Sequence, residues 1–524
     1  MRHRSACASL LALLLLAPSA ALANPSRWTL HTSVDAWETG LSGFALDTED
    51  TATDDALTGR ARLRTRVEGP LVGRKLRLVG ELDFFARALH GAPASLGPVQ
   101  ADPAIRARDP FHPAPLHLRA LYLEWAGALG IARLGTQPSD WGLGLVANDG
   151  ARDDRLFGVP TRGNVSQRLL LATSPLQAIG APPQSTLGRL TLLAAGDLVW
   201  ADETAELLDA GGRPEDTAWQ AVGALFVRPR TYTGPVARLR EDVSGGVYAA
   251  RRWQTYAEGD RLEVWVLDAH ARLHQALPSG ASFRYEFEAA RLFGETDRVT
   301  SESGPSGLKI NALGAAAEMA WGFPMGTAHG EVMATIGLTS GDANADDDEL
   351  NRFTMHGDYD VGFVLFDHVL PALQLRASER IDDPLRARTP PKGFEHLAGR
   401  GGVSGARYGA LRFTAQPCAT VDAAAQAVVV TTSAPFTDPV RTFERGGVPA
   451  NPFGGPAEGT LATELDLAVR WRLPEVAPET RPAIRLTGGV VLPGAVLEGP
   501  DGGLGTVYAG QLALTIDSHL GGGL

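Results

Sequence analysis

Cysteine and lysine are scarce in this chain. Of 524 residues two are cysteines, Cys7 and Cys418, and three are lysines, Lys75, Lys309 and Lys392, against 45 arginines. Cys7 lies in an N-terminal segment expected to be removed, so no intramolecular disulfide is available and a disulfide-stapled secreted scaffold is excluded. The arginine excess reads as the bias of a GC-rich genome, although arginine also suits fixed, bidentate anion contacts. Long uncharged runs are missing as well. Past the N-terminus the longest runs from Leu169 to Gly188, and Pro175, Pro182 and Pro183 interrupt it. It cannot form the ~20-residue apolar helix that spans a bilayer, which excludes helical membrane proteins.

Catalytic and metal motifs are absent too. There is no G-x-S-x-G, no phosphate-loop Gly-Lys-Ser/Thr and no Cys/His cluster, so no enzyme is expected. His270 and His274 are four apart but lie in a strand pattern, where those positions are distant, and no Glu accompanies them; they read as a polar strand end. Asp342-x-Asn344-x-Asp346 begins like a calcium loop. Its sixth position is Asp347 and its twelfth is Phe353, where such a loop needs Gly and Glu. No cofactor is expected, beyond incidental Ca²⁺ binding at the acidic stretch 342–349.

Glycine is plentiful, at 60 residues with 35 prolines, which favours turns and strands over long helices. Residues 1–23 read as a secretory signal: Arg2 and Arg4, an apolar run from Leu10 to Ala17, then Ala21-Leu22-Ala23 before Asn24. The rest, 24–524, is expected to be one domain. Its acidity is local. Asp47 to Asp55, Asp202 to Asp216 and Asp342 to Glu349 hold nearly all the net negative charge. Such runs read as solvated loops, and nucleic acid is not an expected partner.

Alternation carries the fold. Arg60, Arg62, Arg64, Arg66 and Glu68 share one face of a period-two segment whose other face is Ala61, Leu63, Thr65 and Val67. After a short turn Lys75, Arg77, Glu81, Asp83 and Arg87 alternate with Leu76, Leu78, Gly80, Leu82, Phe84 and Ala86. Glu286 and Glu288 alternate with Phe287 and Ala289. Glu464, Asp466, Arg470 and Arg472 alternate with Leu465, Leu467, Val469 and Trp471. Period two means strands with one wet face. Many reach the ~9–11 residues needed to cross a membrane at a tilt, whereas soluble strands average ~5–6. Short turns such as 69–73, 127–130 and 322–326 alternate in part with long loops 38–59, 89–115, 138–162, 201–216 and 295–307, the asymmetry of an outer-membrane barrel.

Strands are expected near 28–37, 60–68, 74–88, 116–126, 130–137, 163–173, 187–200, 217–228, 245–256, 261–274, 281–294, 308–321 and 328–339. Five more follow near 403–416, 424–433, 463–473, 482–492 and 506–517. The count is about 18, with 16 as the alternative and the parity near 229–260 the least defined. Residues 341–402 form one long loop with an ordered piece from Val361 to Leu370 that Pro371 ends. Eighteen strands leave an aqueous lumen. Trp28, Trp37, Trp125, Trp200, Trp219, Trp253, Trp321 and Trp471 fall near strand ends, where aromatic girdles belong, though core tryptophans would serve as well.

Ser340-Gly341-Asp342-Ala343-Asn344, with Asp346 and Asn351-Arg352-Phe353, resembles the loop of alginate-export-type porins. Glu464-Leu465-Asp466-Leu467, Leu492-Pro493-Gly494 and Trp141-Gly142-Leu143-Gly144 resemble parts of such barrels and of related uncharacterised outer-membrane proteins. One departure stands: such barrels commonly end on an aromatic residue, and this chain ends His519-Leu520-Gly521-Gly522-Gly523-Leu524. The resemblance implies a pore and does not transfer alginate as its solute.

The expectation is an all-β transmembrane antiparallel barrel in the outer membrane, acting as a porin-like channel for small polar or anionic solutes. Its lumen would be lined by Arg60, Arg62, Arg64, Arg66, Arg77, Glu81, Asp83, Arg87, Glu286, Glu288, Glu464, Asp466 and Arg470. The arginines would pair with carboxylates across the lumen or leave one wall positive. Expected partners are outer-membrane lipid and lipopolysaccharide, the barrel-assembly machinery and a small polar solute. A barrel serving as enzyme, receptor or surface anchor, and a soluble secreted all-β protein, are the alternatives.

Overall fold

The computed structural model describes residues 28–49, 51–72, 75–90, 116–127, 130–151, 156–159, 163–201, 217–229, 240–256, 259–297, 307–343, 347–381, 402–446, 448–500 and 502–520. Eighteen antiparallel strands pair in chain order. They are β1 Thr29–Leu41, β2 Ala56–Val72, β3 Leu76–His90, β4 Leu116–Gly127, β5 Gly130–Pro138 and β6 Val165–Thr173. Then come β7 Leu190–Ala201, β8 Thr217–Val227, β9 Arg240–Thr255, β10 Arg261–Ala276, β11 Ser282–Thr296 and β12 Leu308–Met325. The last are β13 Ala328–Thr339, β14 Ala406–Cys418, β15 Val421–Thr432, β16 Thr460–Arg472, β17 Thr480–Pro493 and β18 Val507–Leu520. The ring closes where β1 pairs with β18, from Leu30 opposite Leu520 to Leu41 opposite Ala509. The uncertain parity resolves into β9 and β10 joined over 256–260.

The outer face is apolar because each strand turns its uncharged set outward. Leu465, Leu467, Val469 and Trp471 are exposed while Glu464 and Asp466 are buried. On β9 the exposed row runs from Val243 to Trp253. Ten residues at ~3.3 Å each, tilted by ~40°, give a band ~25 Å tall, the thickness an outer-membrane barrel presents to lipid. Trp125, Tyr285, Trp321 and Trp471 lie outward near one rim, and Trp219, Trp253, Trp265 and Tyr508 near the other. Trp37 breaks the expected pattern. It is buried and shares the inward face with Asp35, because β1 registers Trp37 on Arg60. Trp28 packs over Gly69; the side chain of Trp200 lies outside the described residues.

The main hydrophobic core sits inside the ring, and this corrects the expectation of a simple aqueous lumen. Connections 42–55, 139–164, 340–405, 433–459 and 494–506 all leave one rim and supply Phe44, Leu46, Leu143, Leu145, Phe157, Phe353, Met355, Phe363, Leu365, Phe453, Val496 and Leu497 to a single buried cluster. The wall meets them largely with small side chains, Ala290, Ala312, Ala316, Ala424 and Ala468. Alanine at inward positions leaves room for a plug, so these strands look underfilled in the sequence and are filled from above.

Residues 341–402 are accordingly not one open loop. A two-residue strand, Glu349–Leu350, adds parallel to β12, and the turn Leu365–Val369 leads into a helix, Leu370–Ile381. Pro371 begins this helix instead of ending the ordered piece. Proline has no N–H to donate, and here the wide turn Leu365–Val369, with Leu370 N–H donating to Leu365 O, runs directly into the helix ahead of it. The Ser340–Phe353 motif ties the entry to the segment. Ser340 Oγ accepts from Leu313 N–H and donates to Asn351 O, Asp342 accepts from Asn351 N–H, and Phe353 packs on Gly314, whose Cβ would fall within its ring. Lys309 pairs with Asp348. Asn344 to Asp346, on which incidental calcium binding would depend, lie outside the described residues.

Candidate functional site: the charged wall and the plug

The inward faces of β1 to β7 carry a ladder of ion pairs. Asp35 meets Arg62 at 2.8 Å, and Asp83 holds Arg64 with two hydrogen bonds of 2.7 and 2.9 Å. Glu81 joins Arg66 at 3.0 Å and Arg119 at 2.9 Å. Glu68 joins Arg66 and Arg77, Glu124 joins Arg77 and Arg133, and Asp197 holds Arg168 at 2.7 Å. Arg62, Arg64, Arg66 and Arg77 therefore find partners on their own or neighbouring strands and not across the lumen. Register explains it, since Asp35 is opposite Arg62 and Asp83 opposite Arg64, and directly opposed opposite charges stabilise a strand pair.

Exposure varies along this wall. Arg62 and Arg64 show 7% and 12% of their side chains, whereas Arg66, Arg77 and Arg133 show 36–42%. The accessible positive charge thus lies toward the short-turn rim. Arg470 pairs with Asp422 at 2.8 Å on β15 and β16, beside Arg472. Arg60 is half-buried near the plug residue His368, and the side chain of Arg87 lies outside the described residues.

Arg119 was not among the expected residues, and a bulge explains why. The pairing of β3 with β4 slips between Glu81 and Leu82, which lie opposite Ala120 and Leu118. The extra residue breaks the alternation that sequence reading depends on and turns Arg119 inward. It is 1% exposed and donates to Asp149 O of the 139–164 segment as well as to Glu81. A wall cation thereby grips the plug.

The opposite wall grips it with carboxylates. Glu288, 0% exposed, accepts N–H bonds from Gly144 and Leu145 at 3.0 and 3.1 Å. Glu464, 1% exposed, accepts from the successive N–H groups of Phe363, Val364 and Leu365. Successive backbone amides form a concave anion receptor. Asp268 accepts from Trp141 Nε1 at 3.0 Å, and Gln426 donates to Val361 O at 2.8 Å. Glu286 contacts His270 at 3.0 Å. Glu288, Glu464 and Asp466 were expected to line water; the plug covers all three.

Within the plug the 139–164 and 340–405 segments are joined directly. His356 N–H donates to Leu145 O, Gly163 N–H to Asp358, and Asn164 meets His356 Nε2 at 2.9 Å. Trp141 lies against Tyr248, Phe226 and His270, with ring centroids 5.6–6.3 Å apart. The Asp47–Asp55 run, expected to be solvated, is partly tied in. Arg376 meets Asp47 at 2.8 Å, while Arg380, 2% exposed, bridges Glu49 at 3.0 Å and Asp438 at 2.5 Å. Burial alone would raise the Asp47 carboxyl. The Arg376 hydrogen bond, the Glu49 N–H and the charges of Arg376 and Arg380 outweigh it and hold the group below its ordinary value.

The chain is a β-barrel of outer-membrane type. No family model and no curated protein matches it. Solved structures to which it is similar include OccK2 (OpdF) of Pseudomonas aeruginosa, at 10% identity and a TM-score of 0.49 over 94% of this chain and 98% of that one. Another is the outer membrane protein OprD of Pseudomonas aeruginosa, at 11% identity and a TM-score of 0.47 over 95% of each. A third is OccAB1 of Acinetobacter baumannii, at 11% identity and a TM-score of 0.46 over 94% of this chain and 97% of that one.

Proposed function

We propose that the protein is an outer-membrane diffusion channel for small polar or anionic solutes. The observation that carries this reading is one wall with two solvents: the strands that turn leucine, valine and tryptophan outward turn a graded ladder of guanidinium and carboxylate inward. A soluble sandwich packs apolar side chains between its sheets and does not place charge along the inside of a closed ring. The solute path runs along this ladder, past the plug that Glu288 on β11 and Glu464 on β16 hold. The likeness of the Ser340–Phe353 motif to alginate-export-type porins falls in the same class, and here those residues tie a loop. Outer-membrane lipid and lipopolysaccharide surround the apolar band, and assembly proceeds through the barrel-assembly machinery.

Along the ladder seven guanidinia (Arg62, Arg64, Arg66, Arg77, Arg119, Arg133, Arg168) face six carboxylates (Asp35, Glu68, Glu81, Asp83, Glu124, Asp197). The near balance supports a weak anion preference set by the accessible cations Arg66, Arg77 and Arg133. In planar bilayers under a salt gradient the reversal potential should move toward cations in Arg66→Glu/Arg77→Glu. The buried pair Arg62→Glu/Arg64→Glu should move it less while impairing assembly. A refolded barrel with no conductance in any of these forms would overturn the channel reading.

A further inference from the structure

Two guanidinium groups interrupt the apolar outer face, both on the wall from β9 to β12. Arg251 shares the outward row of β9 with Val247 and Trp253, and Arg291 shares that of β11 with Tyr285 and Phe293; both arginines are exposed. Register gathers them into one patch. Arg251 is opposite Trp265 of β10, Trp265 is opposite Phe293, and Phe293 is opposite Asn311 of β12. Arg291 lies one row farther from the long-loop rim, between the exposed Leu267 and Leu313.

Both side chains reach toward the aromatic level. Arg251 Cζ lies 5.5 Å from the centre of the Trp265 ring and 5.9 Å from that of Trp253, and its Nε donates to Glu263 at 3.1 Å. Arg291 Nη2 donates to Asn311 Oδ1 at 3.0 Å, and among the described residues no carboxylate pairs with it. Aromatic girdles mark where hydrocarbon gives way to headgroups. Two residues at ~3.3 Å each along a strand tilted by ~40° span about 5 Å. Each arginine is therefore rooted inside the apolar band and carries its charge to the headgroup plane. Little loop stands over the patch, since β9 and β10 are joined over 256–260. Farther from that rim the same strands turn Val243, Val247, Tyr285, Met319 and Trp321 outward and, among the described residues, no arginine or lysine.

A guanidinium on a lipid face has lost water on that side and needs acceptors. Arg251 has Glu263, whereas Arg291, with five N–H donors, has a neutral amide. The guanidinium fork matches phosphate, the anion that lipid headgroups supply. One row nearer the rim Glu263 is opposite Glu295, and Glu295 is opposite Lys309, which pairs with Asp348. Carboxylates repel phosphate but accept from sugar hydroxyls, so the two rows together suit a phosphorylated sugar.

We propose that the outer surface of β9 to β12 binds the phosphorylated sugar headgroup of lipopolysaccharide in the outer leaflet. Arg251 and Arg291 hold phosphate, Glu263 and Glu295 meet sugar hydroxyls, and acyl chains lie over Leu267 and Leu313. The site rests on the barrel's place in the outer membrane and not on conduction, so it is tested apart from the channel reading.

Native mass spectrometry of the detergent-folded full chain, titrated with bisphosphorylated lipid A, makes the test. Each charge-assisted bond to phosphate is worth a factor of about ten or more. Arg251→Gln/Arg291→Gln should therefore bind this lipid at least tenfold more weakly than the wild type. Lipid A stripped of phosphate should bind the wild type as weakly, and phosphatidylglycerol, which has phosphate without the sugar, more weakly than bisphosphorylated lipid A. Lys75→Gln/Arg481→Gln removes two exposed cations from the opposite rim and should leave the affinity unchanged. Should the first variant lack the heat-modifiable migration of a folded barrel, the three lipids on the wild type decide. Equal affinity of the wild type for bisphosphorylated lipid A and either other lipid would overturn the site. So would wild-type affinity in Arg251→Gln/Arg291→Gln, or an equal loss in Lys75→Gln/Arg481→Gln.

Discussion

Gly142 lies directly over the carboxylate of Glu288. Its φ is +57°, and a side chain there would begin 2.4 Å from Glu288 Oε2. The left-handed turn and the close approach together let the next residues aim their amides at the acid. Gly142→Ala should cost ~1–3 kcal/mol of docking stability through strain and displacement of the acid. At ~1.4 kcal/mol per factor of ten, exchange at Gly144 and Leu145 should rise by roughly ten- to a hundredfold. An unaltered rate would mean that this segment does not depend on the glycine.

The lipid face can be probed on β16. Leu467 is 66% exposed between Asp466 and Ala468, both buried. Leu467→Arg should cost ~2–4 kcal/mol if the site lies at mid-bilayer depth, read as a lower midpoint for urea unfolding from lipid vesicles. Glu464→Ala should leave that midpoint nearly intact and instead speed exchange at Val364 and Leu365. Equal effects of the two on the midpoint would mean the faces are misassigned.

His368 gives the plug an acid limit. Its imidazole packs edge-on against Phe363, centroids 5.8 Å apart, and its pKa is pushed down to about 4 by burial, with the Arg60 charge adding. The docked form is therefore neutral, whereas an undocked imidazole takes up a proton near pH 6.5. Docking stability is complete above ~6.5 and falls on acidification until about pH 4, by at most ~3.5 kcal/mol at ~1.4 kcal/mol per unit. Protease sensitivity of the folded barrel should rise below pH 6, and His368→Gln should flatten that rise. Equal acid sensitivity in both proteins would assign it to another group.

Orientation is open to a direct test. Gly446 follows the short helix Pro439–Glu444 on the long-loop rim, with φ +68° and open space where a side chain would stand. Long loops face the exterior in barrels of this type. A tag inserted after Gly446 should be labelled on intact cells; labelling only after the outer membrane is permeabilised would invert the topology. Thr51 is a poorer site, since Arg376 bonds its hydroxyl.

The wall was legible because lipid and water impose opposite demands on alternate residues, so Arg60 to Glu68 and Glu464 to Trp471 declare both strand and face. The plug was less legible. Val361-Gly-Phe-Val-Leu-Phe was expected as an ordered piece of a long loop, and Trp141-Gly-Leu-Gly-Leu-Val as part of an open one; the apolar excess of both was the available signal. The partner of Glu464 is about a hundred residues away and that of Glu288 farther still. No local pattern encodes such pairing, and backbone amides leave no mark in a sequence. Arg119 was hidden by a bulge, and Trp37 by the assumption that tryptophan near a strand end meets lipid.

The two anchoring acids, Glu288 on β11 and Glu464 on β16, are separated along the ring by four strands, and the segments they hold also touch each other at His356 and Leu145. Those anchors face one another only after the ring has curved shut. The interior must therefore form last, as a small globular body condensing within a finished container. A barrel of this design can be threaded into the membrane hollow, and its two halves of cohesion should melt apart: the interior lost first in denaturant, the cylinder persisting as long as lipid surrounds it.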